Sequence, residues 1–189
     1  MAMDFTTFFT GVAEHWHIWF VSIILVVAAI IDGWMLKVPN WITFPLIFSG
    51  WGYSALAGGW AGFGWSLLGT FAGLALLYGL YMVGGMGAGD VKLLAGIGAW
   101  LHLQHTWNIF ATTAIVGGVM ALAMIAYTGR WRKHFRQFNM ILGEFVEVRD
   151  TEALFQRAAE RKSKMFLLPY GIPMTVAALG YFVFQGMYF

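Results

Sequence analysis

Asp32 and Asp90 are the acidic side chains of this sequence that stand within or at the edge of long apolar stretches. The other acids lie elsewhere: Asp4 and Glu14 in the N-terminal tail, and Glu144, Glu147, Asp150, Glu152 and Glu160 in a polar stretch near 129–164. An aspartate placed deep in a membrane helix costs roughly 2.5–3.5 kcal/mol on insertion scales, so such residues are rare and tend to be functional. Two carboxylates meeting in a low-dielectric site cannot easily both ionise, and they come to share one proton. The ionised member then takes a proton from a water that attacks a carbonyl, while the protonated member polarises that carbonyl or protonates a leaving amine. This is the chemistry of aspartic peptide hydrolysis. It needs no thiol, which suits a chain without cysteine.

The surroundings of Asp90 add to this expectation. Asp90 closes the string GGMGAGD, in which Gly84, Gly85, Gly87 and Gly89 alternate with small or flexible residues. Glycines ahead of a helix let another backbone approach closely, as an extended substrate requires. The string is not a nucleotide loop, because no strand precedes it and no Gly-Lys-Ser/Thr follows. On their own, the aspartates also fit interfacial charges paired with Lys37 and Lys92, or proton carriers.

The elements that must position these residues are membrane helices. Hydrophobic residues make up 60% and charged residues 11%, against roughly 45–50% and about 25% in soluble domains. So few charges cannot cover a water-facing surface. A spanning helix needs about 20 mostly apolar residues, and six stretches qualify: about 18–34, 41–56, 63–83, 91–101, 107–127 and 165–186. They are continuous apolar runs without the alternation of barrel strands. The expected fold is therefore all-α: a polytopic helical bundle of six transmembrane helices, one integral-membrane domain over residues 1–189. The N-terminus lacks a basic region ahead of a short apolar core, so no removable signal peptide is expected.

Charge placement orients the bundle. With six spans, every Lys and Arg falls in or beside the connections 1–2, 3–4 and 5–6, and none falls on the other side. The positive-inside rule then puts those connections in the cytoplasm and both termini outside. Asp32 ends the first span and Asp90 begins the fourth, so both are expected at the same depth near the inner face. The long connection near 129–164 mixes basic and apolar residues and reads as a segment on the cytoplasmic membrane surface. Trp16, Trp19, Trp34, Trp41, Trp60, Trp107 and Trp131 fit the interfacial belt.

In three places the sequence resembles the prepilin peptidases, the type IV leader peptidases of bacteria. Gly87 to Leu93, GAGDVKL, is similar to that family's Gly-x-Gly-Asp signature with a trailing Val-Lys-Leu. Asp32 followed by Lys37-Val38-Pro39-Asn40 resembles its first aspartate and downstream Ile-Pro-Asn. Leu168-Pro169-Tyr170-Gly171-Ile172-Pro173 resembles its Pro-Phe/Tyr-Gly-Pro motif.

The resemblance implies that Asp32 and Asp90 form a catalytic dyad that removes short basic leaders from prepilin or pseudopilin-like precursors at the cytoplasmic membrane face. Gly87, Gly89, Lys92, Pro39, Asn40, Pro169 and Gly171 would be the motif and substrate-approach residues. No cofactor, no metal and no nucleic-acid partner is expected; membrane lipid is. Full-length relatives often carry a cytoplasmic segment with paired Cys-x-x-Cys motifs and methylate the new N-terminus. Without cysteine, this sequence looks more like the short, peptidase-only members that process tight-adherence (Flp) pilins, and methyltransferase activity is expected to be absent.

Presenilin-like enzymes share Gly-x-Gly-Asp, but here Ile31 precedes Asp32 and no Pro-Ala-Leu occurs. The non-enzymatic alternative is a small proton-coupled transporter or an assembly subunit. It would ordinarily show an internal repeat and interrupted midplane helices, and no repeat is evident. His102 and His105 have metal-compatible spacing, yet they fall on the outer side without a carboxylate nearby.

Overall fold

A computed structural model of the chain describes residues 14–82, 85–129 and 169–188. Within them the fold is all-helical: α1 (Trp16–Met35), α2 (Asn40–Met82), α3 (Ala88–Thr128) and α4 (Gly171–Phe184). α1, α2 and α3 are long and apolar enough to cross a membrane, and α4 is a shorter apolar helix. The expected cytoplasmic segment near 129–164 and the N-terminal tail lie almost wholly outside the described residues.

The connections expected near 57–62 and 102–106 are replaced by single-residue breaks. In α2 only Gly59 leaves helical geometry, at φ 58° and ψ −146°, a region open to glycine. Trp51 Nε1 nevertheless donates to Thr70 Oγ1 at 3.0 Å. In a straight helix nineteen residues span about 28 Å, so limbs 40–58 and 60–82 fold back on each other at Gly59. In α3 the break is His102, at φ 62°. Its ring Nε2 lies 3.3 Å from Ser54 Oγ, one of the contacts that hold a non-glycine residue in the left-handed region.

Side-chain contacts give the direction of each limb. Lys92 meets Asn40, Trp100 Nε1 donates to the Leu46 carbonyl, and Ser54 Oγ donates to the Ala99 carbonyl, so limbs 40–58 and 88–101 run the same way. Ser66 Oγ donates to that same Ala99 carbonyl, and Gly73 lies against Leu94 and Ala95, so limb 60–82 runs opposite. Asn108 Nδ2 donates to Tyr181 Oη while Gly117 lies by Tyr170 and Pro173, so limb 103–128 is antiparallel to α4. α4 in turn is antiparallel to α1: Gly171 meets Asp32, Thr175 Oγ1 donates to the Leu25 carbonyl, and Ser22 Oγ meets Tyr188 Oη. The described helices therefore form six limbs around a core that includes Ile18, Leu25, Leu77, Leu93, Ile97, Ile109, Met174 and Phe182.

Glycine sets the close spacing of the central limbs. A Cβ on Gly98 would run into the Gly69 carbonyl, and one on Gly73 would stand 2.6 Å from the Leu94 carbonyl oxygen. Small residues at such crossings are the usual means of helix packing in lipid. Gly98→Val is therefore expected to cost about 2–3 kcal/mol, as overpacking does, and to lower the thermal midpoint in detergent micelles. Gly118→Ala, at a position with open space around it, is expected to leave that midpoint unchanged.

Candidate active site

The site is assembled by the ends of three elements and the connection that follows α1. α1 ends when Leu36 turns left-handed at φ 52° and its N–H bonds the Asp32 carbonyl at 2.8 Å. This local closure fixes the backbone of Asp32 at the last turn. Its side chain points to the opposite partner: Gly171 N–H, at the start of α4, donates to Asp32 Oδ2 at 2.7 Å. The carboxylate is 1% exposed. There is no room for a side chain at Gly171, where a Cβ would stand 2.9 Å from Asp32 Oδ2 and 3.1 Å from its Cβ.

Asp90 occupies the first turn of α3 and is 4% exposed. Gly87 N–H donates to its Oδ2 at 3.0 Å. A carboxylate there satisfies a free donor at the helix start and faces the positive end of the helix dipole. Tyr170, the residue before Gly171, lies within electrostatic reach of Asp90. The two-residue step Tyr170–Gly171 thus joins the surroundings of both aspartates.

The other residues singled out by sequence fall at the same end. A Cβ on Gly89 would collide with the Val38 carbonyl oxygen, so the connection after α1 lies flat against the first turn of α3. The Pro39 carbonyl accepts the Ile42 N–H at 3.1 Å and opens α2, the turn role expected of it. Asn40 Oδ1 accepts from Lys92 Nζ at 2.9 Å, and that ammonium lies 4.8 Å from the centre of the Phe44 ring. Lys92 is two residues from Asp90, on another face of the helix, and its described partners are Asn40 and Phe44. The Pro169 carbonyl accepts the Ile172 N–H at 3.2 Å and leads into α4. Val38 and Tyr170 are the contacts that sequence reasoning did not single out, although both stand inside the quoted motifs.

His102 and His105 lie at the other end of limb 88–101. His105 Nδ1 is 2.8 Å from Tyr181 Oη, whereas His102 faces Ser54. Among the described residues no three His, Cys, Asp or Glu side chains are grouped to hold a metal ion. Chemically, the end that holds Asp32 and Asp90 presents two buried carboxylates, each fixed by a backbone N–H, with glycines packed beside them.

Comparison with known proteins finds relatives of the chain. Three curated prepilin leader peptidase/N-methyltransferases are similar. That of Aeromonas hydrophila is 31% identical over 132 residues, covering 66% of this chain and 44% of the relative. That of Neisseria gonorrhoeae is 33% identical over 113 residues, 56% and 39%. That of Burkholderia pseudomallei strain 1026b is 32% identical over 129 residues, 62% and 38%. The chain spans less than half the length of these relatives. No solved structure matches. The model of the type IV leader peptidase family matches residues 19–122, more than half of the chain and the part that contains Asp32, Asp90 and the contacts between 38–40 and 89–92. On that match the chain belongs to the type IV leader peptidase family.

Proposed function

We propose that this chain is an intramembrane aspartic endopeptidase that removes the short basic leader from prepilin or pseudopilin-like precursors, with Asp32 and Asp90 as its acid–base pair. The observation that carries this reading is the gathering of three separate segments, 38–40, 87–92 and 169–171, around two buried carboxylates. In the reaction one carboxylate is ionised and the other protonated. The ionised one takes a proton from water as its oxygen bonds to the scissile carbonyl carbon, and the protonated one donates to the carbonyl oxygen. Collapse of the tetrahedral adduct breaks the C–N bond: the proton held by the first carboxyl passes to the leaving amine, and a hydroxyl proton of the adduct returns to the second carboxylate.

The six limbs are read as six spans in a bacterial inner membrane, with both termini outside and the dyad at the cytoplasmic face. Lys37 and Lys92, at the same end as the aspartates, support that orientation. The absence of cysteine from the 189 residues supports a short, Flp-type peptidase that leaves the new N-terminus unmethylated. Expressing the chain with a pilin precursor in a host lacking its own leader peptidase tests this. A single cut behind the basic leader, with a free α-amine by mass spectrometry, is expected. A precursor that stays intact beside normal amounts of the chain would overturn the reading and favour a proton-carrying membrane subunit.

A further inference from the structure

Histidine collects at the end of the bundle away from Asp32 and Asp90. A cavity of about 340 Å³ there has His17, Tyr53, Ser54, Trp100, His102 and His105 in its wall. The His17 ring stacks on Tyr53 at 5.4 Å and 20°, Tyr53 stacks on Trp100 at 5.0 Å, and the His15 ring lies 6.3 Å from that of His17. Trp16 and Phe20 also meet Trp100, at 6.0 and 5.0 Å. Contacts of α1 with α2 and α3 are sparse. Among the described residues every ring contact between them falls in this group. The cluster therefore fastens the start of α1 to limbs 40–58 and 88–101.

The hydrogen bonds suit neutral rings. His17 Nδ1 is buried with no hydrogen-bond partner among the described residues, and a charged N–H there would be left unpaired. Tyr181 Oη accepts from Asn108 Nδ2 at 3.1 Å and lies 2.8 Å from His105 Nδ1. With Nδ1 as acceptor, the tyrosine proton has a partner; protonating Nδ1 makes it a donor and takes that partner away. At His102, in the break between two limbs, burial lowers the imidazole from its ordinary value, and His105 lowers it further. The other titratable or charged groups around the cluster are Glu14 and His15 at the α1 end, Tyr53 of limb 40–58, and Tyr181 and Tyr188 on the α4 side, while limb 60–82 lines the cavity with Gly62. Among the described residues no Asp, Lys or Arg stands with them, and Glu14 is exposed. A second or third proton in the cavity therefore meets like charge without a buried counter-ion.

We propose that this cluster is an acid-sensitive latch: protons from the outer side release the start of α1 from limbs 40–58 and 88–101 and slow cleavage at the dyad. The effect on cleavage rests on the peptidase reading above; the release itself does not. α1 carries Asp32 and limb 88–101 carries Asp90, so the fit between these helices sets how the carboxylates face each other. α1 stays joined to α4 through Leu25 with Thr175 and Asp32 with Gly171, and the pair moves as one body. The sign follows from linkage. The released state takes up protons more readily than the latched one. The latch is therefore fully engaged above the ordinary imidazole pKa of about 6.5 and weakens as pH falls below it.

Two measurements test the latch. In the first, nitroxide labels are placed on Ile23→Cys/Leu56→Cys, across the latched helices, and on Ile23→Cys/Val176→Cys, across α1 and α4; all three positions are exposed. Between pH 7.5 and pH 5 in micelles, the 23–56 distance is expected to lengthen by several ångströms and the 23–176 distance to stay constant. A 23–56 distance that does not change with pH would overturn the latch, with all histidines in place. In the second, cells expressing the chain with a pilin precursor are shifted from external pH 7.5 to pH 5. Leader removal is expected to slow about fivefold with the unmodified chain and to keep its rate with His17→Gln/His105→Gln. A rate indifferent to external pH, or equal slowing in the double variant, would overturn control of the dyad by these rings. A precursor left uncut at both pH values would instead overturn the peptidase reading, and the distances alone would then decide the latch.

Discussion

Asp32→Asn and Asp90→Asn should each slow leader removal by about 10³-fold or more, while the folded protein becomes no less stable. Asparagine keeps the shape of the side chain and an acceptor oxygen. The bonds from Gly171 N–H to position 32 and from Gly87 N–H to position 90 therefore survive. What disappears is a group able to take up or deliver a proton, and acid–base catalysis contributes about 10²–10⁴-fold per group. Stability should move the other way, because a buried aspartate opposes insertion by roughly 2.5–3.5 kcal/mol and its amide opposes it less. Activity lost with stability kept or gained separates a chemical role from a structural one. The measurement is the single-turnover rate of precursor cleavage set beside the thermal midpoint in micelles. Cleavage within tenfold of wild type in either variant would contradict the prediction, as would loss of activity that tracks loss of fold.

Gly171→Ala should have the next largest effect, about 10²-fold on cleavage, although it leaves both carboxyl groups in place. A methyl there would stand 2.9 Å from Asp32 Oδ2, where van der Waals contact needs considerably more. Either the start of α4 backs away from α1 or the carboxylate rotates, and both lengthen the 2.7 Å bond that holds it. A hydrogen bond to a charged group is worth about 1.5–3 kcal/mol, and a shift of about 1 Å in a reacting group can cost 10²-fold in rate. Gly180→Ala lies further along the same helix with open space around it and should cleave at the wild-type rate. The comparison separates helix propensity, which alanine improves in both, from the contact that only Gly171 makes. A Gly171→Ala chain that cleaves normally would show that Asp32 is held by something other than the start of α4.

Much of this arrangement was legible in the sequence, and the residues show why. Insertion cost makes an aspartate conspicuous in an apolar run, so Asp32 and Asp90 could be picked out before any fold was known. Val38-Pro39-Asn40, GAGD and PYG were legible as turn and helix-start chemistry, and they fall at one end of the bundle. Reversals near 57–62 and 102–106 were legible as gaps between apolar runs, but not that a single residue, Gly59 or His102, makes each break. The surrounding residues stay helical up to the break, and contacts such as Trp51 with Thr70 show how closely the two limbs fold back. Nor does one sequence reveal which of its 24 glycines touch a neighbour. Gly69, Gly73, Gly98 and Gly171 are close-packed while Gly52, Gly118 and Gly180 are open, although all read alike as letters. The antiparallel seating of α4 on α1, through Ser22, Leu25 and Asp32, is likewise a tertiary fact without a local signal.

The claim on which the rest depends is that side chains 32 and 90, separated in sequence by most of two helical hairpins, reach one another. Because these 189 residues contain no cysteine, Asp32→Cys/Asp90→Cys provides the only two thiols in this sequence, and mercuric ion bridges thiols only at close range. Titrating the purified double variant in micelles and counting free thiols decides the matter. One equivalent of mercuric ion silencing both thiols is the predicted result, and a requirement for two equivalents would contradict it.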